Sequence, residues 1–506
     1  MSEQGSVAAH IEKLRARLRE KPALHFIAGD FTDAGSEDSF VTLNPATNEP
    51  LAEVARGGEP QVAQAAAAAS KAFPRWRALS AKERGRLMLA IAERLVAKTE
   101  ELSTVECLDS GQVLRIVRAQ VARAAENFSF YAEYAQRLFE GHTYPMDDRF
   151  LFYTVREPVG PVGIITPWNA PLMLATWRVA PALVAGNTVI LKPAEWAPLT
   201  ANILAEAIAE AGVPPGVFNV VHGFGEEAGA ALVSHPQVPL ITLTGETTTG
   251  KTVMANAAQH LKKLSLELGG KSPAILFADA ELEAALDAIV FQIFSFNGER
   301  CTANSRLLVE RPILDRVLQE VTRRARNLRL GDPLDPATEL GPLIHPEHLE
   351  RVLRYVAIGQ EEGAQLLCGG RRWGERGNFM EATVFFGNNA MRIAQEEIFG
   401  PVLVVIPFDS EEQAVQLAND SSYGLAAYVF TSNLERGHRV ARKLETGMVW
   451  LGSHNVRHLP TPFGGVKGSG THREGGLYAF DFYTEWKCIA VPLQRVQAPP
   501  MGKEGP

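Results

Sequence analysis

The sequence predicts an α/β protein, with two α/β domains in series and a small β arm. Three observations lead there. Short β-rich runs alternate with helical patterns from about residue 160 to 280, and a second alternation runs from about 281 to 452. The segments 142–156 and 478–483 read as strand-like runs outside both. Strand–helix alternation at this spacing implies a parallel sheet covered by helices on both faces. Ligands then sit beyond the carboxyl ends of the strands.

The elements follow in chain order. Ile11, Leu14 and Leu18 give the N-terminus the pattern of a short amphipathic helix, without the apolar core of a signal peptide. In HTYPMDDRFLFYTVR (142–156) apolar residues alternate on both sides of Asp147-Asp148, a hairpin signal. Strands are expected at 162–165, 188–191, 217–221, 240–243 and 274–277, with helices near 172–185, 199–211, 225–234 and 250–264. An apolar helix over 284–296 follows, then strands at 306–309, 402–406, 428–431 and 448–451. Residues 478–483 (YAFDFY) read as a strand, and the Pro- and Gly-rich 494–506 as a loose tail.

Composition narrows the function. A chain of 506 residues holds two or three domains. A net charge of −8 argues against a nucleic-acid binder. No apolar run reaches the ~18 residues of a membrane helix, so the expected location is the cytoplasm. The four cysteines, Cys107, Cys301, Cys368 and Cys488, fit neither a disulfide framework nor a zinc site, and no metal is expected.

Two nucleotide-binding patterns compete. Gly245 to Thr252, GETTTGKT, matches the phosphate loop of NTPases. Its interior, Glu246-Thr247-Thr248-Thr249, places three β-branched residues where positive φ is usual and a carboxylate where phosphate would lie. Strand, tight turn and helix N-terminus remain a sound reading, and such a turn favours phosphate without hydrolysing it. Gly223 to Ala228 (GFGEEA) fits a dinucleotide fingerprint after a strand and equally a glycine-rich turn. Cys301 lies just past a helix that ends in Asn297-Gly298, and a thiol on a polar turn is placed to react. The other three cysteines read as small buried hydrophobes.

Several segments, in order along nearly the whole chain, carry a resemblance: TPWN (166–169), KPAE (192–195), Thr244-Gly245, ELGGK (267–271), GERC (298–301), EIFGP (397–401) and PFGG (462–465). Together they closely resemble the aldehyde dehydrogenase superfamily. The resemblance implies a Rossmann-like cofactor domain (1–136 and 156–266), an α/β catalytic domain (267–475), and an oligomerisation arm and tail (137–155 and 476–506). It implies Cys301 as nucleophile, Asn169 as oxyanion donor and Glu267 as general base. An aldehyde must first become tetrahedral before it can lose hydride, and a thiolate adduct supplies that.

The resemblance also implies NAD as cofactor, in contact with Ile165, Thr166, Pro167, Trp168, Lys192, Glu195, Gly225, Thr244, Gly245, Leu268, Gly269, Glu397 and Phe399. A carboxylate at Glu195 repels a 2′-phosphate, so NADP is less favoured. Family members often carry Ser where Glu246 stands. The loop Ser453 to Pro460 would border the substrate mouth. His454, Arg457 and His458 there, with Phe463, suit either a carboxylate clamp or a solvated polar loop. The implied substrate is a carboxylated semialdehyde of aromatic degradation, with related muconic semialdehydes and betaine-type aldehydes as the alternatives, and the implied assembly is a homodimer or homotetramer. Glu267, present to activate water, argues against an acylating relative. Cys301, Glu267 and Asn169 together argue against a purely structural protein.

Overall fold

A computed structural model of the chain describes residues 3–35, 38–135, 141–146, 148–499 and 501–502. Its centre is a pair of seven-stranded sheets. In the first, the strands Lys263–Glu267, Leu240–Thr244, Pro161–Ile165, Thr188–Lys192 and Phe218–Val220 lie side by side and parallel, and His25–Ile27 and Asp30–Thr32 extend the edge antiparallel. Chain order reverses between Leu240–Thr244 and Pro161–Ile165, the switch point where a crevice opens in such sheets. The register fixes what lines it. Ile165 pairs with Leu243 on one side and Lys192 on the other, and Thr244 pairs with Glu267. The strand Thr188–Lys192 is buried throughout, as expected for a parallel strand with both faces covered.

The second sheet is ordered Gln365–Cys368, Thr383–Phe386, Val402–Phe408, Arg306–Glu310, Pro273–Leu276, Ala426–Phe430, Met448–Leu451; every pairing is parallel except the first. Buried Arg306 ties this sheet to the site. Its guanidinium donates to the carbonyls of Lys271, Leu417 and Ala418 and to Asn389, so it is satisfied without a carboxylate. A third, antiparallel sheet joins Thr484–Pro492 to Phe150–Pro158 and Thr143–Pro145.

Several sequence expectations need correction. Tyr478–Tyr483 is a helix, with Ala479, Phe480, Phe482 and Tyr483 buried; its aromatics pack into the core formed with the first sheet's helices, and that burial overrides their β preference. The strand lies just beyond, at Thr484–Pro492. The helix expected to reach 264 ends at Ala257 with a short turn to His260, because Lys263–Glu267 is a strand. The helix expected over 225–234 opens as a π-turn, Gly225–Gly229. The N-terminal helix spans Glu3–Glu20 and buries Leu14. The expected hairpin forms; Asp147 in its turn lies outside the described residues, as do 500 and 503–506 of the tail.

Candidate active site

Beyond the carboxyl ends of the first sheet lies a cavity of about 540 Å³. Every residue expected at the cofactor, from Ile165 to Phe399, lines it. Lys192 ends its strand and reaches Glu195 at 2.8 Å. Glu397 is buried and accepts the Gly270 N–H at 2.9 Å; burial pushes its carboxyl up to about 7. Gly269 is required beside it, since a Cβ there would lie 1.9 Å from Glu397 Oε2. Phe399, at φ 61°, stands edge-on to Trp168 at 5.2 Å. Gly225 faces open space, and Thr244 Oγ1 is buried without a protein partner. A cavity of this size with an ion pair suited to ribose hydroxyls, an unsatisfied hydroxyl and a helix N-terminus fits a dinucleotide.

It does not fit the phosphate loop of an NTPase. Thr247, Thr248 and Thr249 form the first turn of the helix Thr247–Ala257, and neither Gly245 nor Gly250 has positive φ. Lys251 is exposed and does not line the cavity.

The turn bearing Cys301 is built from strained backbone. After the helix Leu282–Phe294, Phe296, Asn297 and Gly298 take φ of 57°, 57° and 75°. A left-handed non-glycine residue costs ~1–2 kcal/mol, so the surroundings must hold it. Asn297 donates to the carbonyls of Gly111 and Pro342 at 3.0 and 2.9 Å, and accepts from the Gly341 N–H. Glu299 accepts the Ile344 N–H at 2.9 Å and a Gln112 amide N–H at 3.3 Å. Gly298 admits no side chain, since a Cβ would lie 2.2 Å from the Gly400 carbonyl carbon. Asn169 donates one amide N–H to Glu299 O at 2.9 Å, which fixes its head group against this turn. Burial, and then the carboxylates of Glu397 and Glu267, push the Cys301 thiol up to about 11, while Arg300 and Arg457 pull it down.

A second cavity, about 360 Å³, lies on the other face of this turn. It shares Asn169, Leu174, Thr244, Leu268 and Cys301 with the first. Glu267 ends its strand here, with Oε1 unpartnered. Burial, then the charge of Glu474, push its carboxyl well above the usual range. Gly464, at φ 150°, makes room for it, since a Cβ there would meet Glu267 Oε1 at 2.6 Å. Glu474 is itself held by buried Arg178 at 2.9 Å, and Arg178 also donates to Thr242 Oγ1.

Arg457 lies 3.6 Å from the Phe463 ring centre and 4.6 Å from that of Trp177, and both rings line the cavity with it. Asn455 pins the loop by donating to Thr302 Oγ1 at 3.0 Å. His454 and His458, expected beside Arg457, are both exposed and line neither cavity; His454 instead packs edge-on to Phe291. In an irregular loop, i,i+4 spacing carries no common face. Sequence reasoning missed Gln120 and Arg123, which line the cavity from the helix Leu114–Tyr134. Arg123 donates to Glu126 through one nitrogen at 2.9 Å, and its Nη2 is buried without a protein partner. No local motif marks them; only the polar interruption of the buried face of Val117, Val121 and Ala124 hints at a cavity. Among the described residues no group of three or more His, Cys, Asp or Glu side chains could hold a metal ion. Nor, among the described residues, is any helix long and apolar enough to cross a membrane.

Comparison with known proteins gives a consistent picture. The profile of the aldehyde dehydrogenase family matches residues 31–489. The 5-carboxymethyl-2-hydroxymuconate semialdehyde dehydrogenase of Escherichia coli is 46% identical over 468 residues, covering 91% of this chain and 98% of that protein. The 2-hydroxymuconic semialdehyde dehydrogenase of Pseudomonas sp. (strain CF600) is 42% identical over 94% of this chain and 100% of its own. Among solved structures, HpcC from Thermus thermophilus superposes with a TM-score of 0.96 at 66% identity, covering 97% of each chain. An NAD+ complex of an aldehyde dehydrogenase from Bacillus cereus superposes at 0.93 with 41% identity, over 95% of this chain and 98% of that one.

Proposed function

The chain belongs to the aldehyde dehydrogenase family and oxidises aldehydes with NAD, and from that premise we propose that its substrate is 5-carboxymethyl-2-hydroxymuconate semialdehyde, or a muconic semialdehyde close to it. The observation that supports this best is the second cavity. It meets the first at Cys301 and is lined by four arginines, Arg123, Arg178, Arg300 and Arg457, against two carboxylates, Glu267 and Glu474, of which Glu474 is tied to Arg178, in a protein of net charge −8. A guanidinium fork matches a carboxylate. A betaine-type aldehyde would bring a cation to the same place, and the arginines disfavour it. The name of the Escherichia coli relative points the same way.

In this reading Cys301 Sγ adds to the aldehyde carbon. The thiol must first ionise, against burial and two carboxylates and with help from Arg300 and Arg457. The oxyanion that forms is met by the second amide N–H of Asn169 and the backbone N–H of Cys301; one such donor is worth ~3 kcal/mol in the transition state. Lys192, Glu195 and Glu397 would hold NAD in the first cavity, where its nicotinamide would supply the hydride acceptor. Loss of hydride leaves a thioester on Sγ. Glu267, a strong base for a carboxylate because it is buried, takes a proton from water as that water attacks the thioester. The acid leaves, and the thiol is restored.

We further propose a homodimer or homotetramer assembled through the arm, because Thr484–Pro492 pairs on one edge only and leaves Trp486 exposed. A cytoplasmic setting accords with four free cysteines. The test is NAD reduction across a panel of aldehydes of similar length, with and without carboxylates. A preference for uncharged or cationic aldehydes would overturn the substrate assignment.

A further inference from the structure

The side chain of Glu246 stands at the start of the helix Thr247–Ala257 but does not cap it. It instead accepts from Arg351 Nη2 at 2.9 Å, across the lip of the larger cavity. Arg351 comes from the helix Pro346–Glu361, and the same nitrogen reaches Glu397 O at 3.2 Å. The side chains are 49% and 32% exposed, so water screens the pair and it contributes little to stability. The other charged residues lining this cavity are Lys192 and Glu195, which pair with each other, Glu347, Arg354, and buried Glu397, whose carboxylate interacts with both Arg351 and Glu246.

We propose that Glu246 and Arg351 form a matched charge pair that holds dinucleotide affinity down and so favours release of the reduced cofactor. The inference rests on the reading that this cavity holds NAD. Both forms of the cofactor carry a diphosphate, and the helix N-terminus beside Glu246 is where such a group is stabilised. Arg351 attracts it; Glu246 cancels most of that attraction by its own charge and by occupying the guanidinium. Reduction removes the positive charge of the nicotinamide, so the reduced form is the more anionic ligand. Arg351 alone would therefore hold the product more tightly than the substrate form. With Glu246 in place, the field at the lip is close to neutral and the two forms are treated more evenly.

The experiment is equilibrium binding of NADH and NAD to the whole protein, by fluorescence and calorimetry, with no turnover. Glu246→Gln keeps the size of the side chain and removes its charge. It should tighten NADH by about three- to tenfold, the scale of one partly screened charge at this range, and NAD by less. Arg351→Gln should weaken both. The double variant should return close to wild type, and the Glu246→Gln gain should shrink in high salt. Unchanged or weaker NADH binding in Glu246→Gln overturns the proposal, as does a double variant that binds NADH as tightly as Glu246→Gln alone. If the wild-type protein binds neither form, the cofactor reading fails and this inference falls with it.

Discussion

Replacing Arg457 by methionine removes the guanidinium and keeps an unbranched chain against Phe463 and Trp177. Two losses are expected, and they separate by substrate. A charge-assisted hydrogen bond to a carboxylate in a partly buried site is worth ~1.5–3 kcal/mol, or about ten- to 150-fold in kcat/KM. Only an aldehyde that carries the carboxylate can lose it. The cation–ring contacts at 3.6 and 4.6 Å shape the wall for every substrate, so their loss is common to all and is limited by the methionine stem. Lysine should rescue in part, since it keeps the charge and lacks the fork. Arg123 faces the same cavity, and the two like charges oppose one another: burial first, then Arg123, push the Arg457 guanidinium down. Losing both should therefore cost a substrate with two carboxylates more than either single change. The assay is kcat/KM for matched acidic and neutral aldehydes. An equal loss on both would show that Arg457 holds the loop in shape and does not clamp a carboxylate.

Cys301→Ala should abolish oxidation and leave NAD affinity unchanged, read by calorimetry, because the ribose and diphosphate contacts lie elsewhere in the cavity. Glu267→Gln should release one equivalent of NADH as a burst and then stall, with a thioester on Cys301 seen by intact mass; loss of the burst itself would place Glu267 earlier, as base to the thiol. In the wild-type protein thioester hydrolysis should quicken only as pH rises beyond the ordinary carboxylate range, because the raised carboxyl of Glu267 is active only when deprotonated. Glu474→Gln should move that rise to lower pH, since it removes the charge that helps push Glu267 up. The same change leaves buried Arg178 without its counter-ion and should cost ~3–5 kcal/mol of stability, read as a lowered unfolding midpoint.

The order of the motifs made the class legible, and the strand–helix alternation made the first sheet legible. What the sequence concealed was mostly non-local. Lys263–Glu267 reads as the end of a helix because Leu264 and Leu266 continue an apolar pattern, yet its pairing with Leu240–Thr244 makes it the strand that delivers Glu267. The aromatics of Tyr478–Tyr483 satisfy a strand pattern as well as a helical one, and only the core they enter decides between them. Arg123 has no motif because its role depends on a cavity formed by residues far away along the chain, among them Arg457 and Phe463. His454 and His458 fail for the opposite reason: their closeness to Arg457 in sequence does not bring them into the cavity with it.

The shared wall between the two cavities has a bearing on inhibition. Asn169, Leu174, Thr244, Leu268 and Cys301 belong to both, so the two cavities adjoin at the reacting sulfur. A chimeric molecule could carry a nicotinamide-like ring at one end and a carboxylate at the other, joined by a linker short enough to pass Sγ. Each end would then present the other at an effective concentration near the millimolar range. Such a ligand would draw affinity from both ends, and its carboxylate end would select for proteins that carry guanidinium groups in the second cavity.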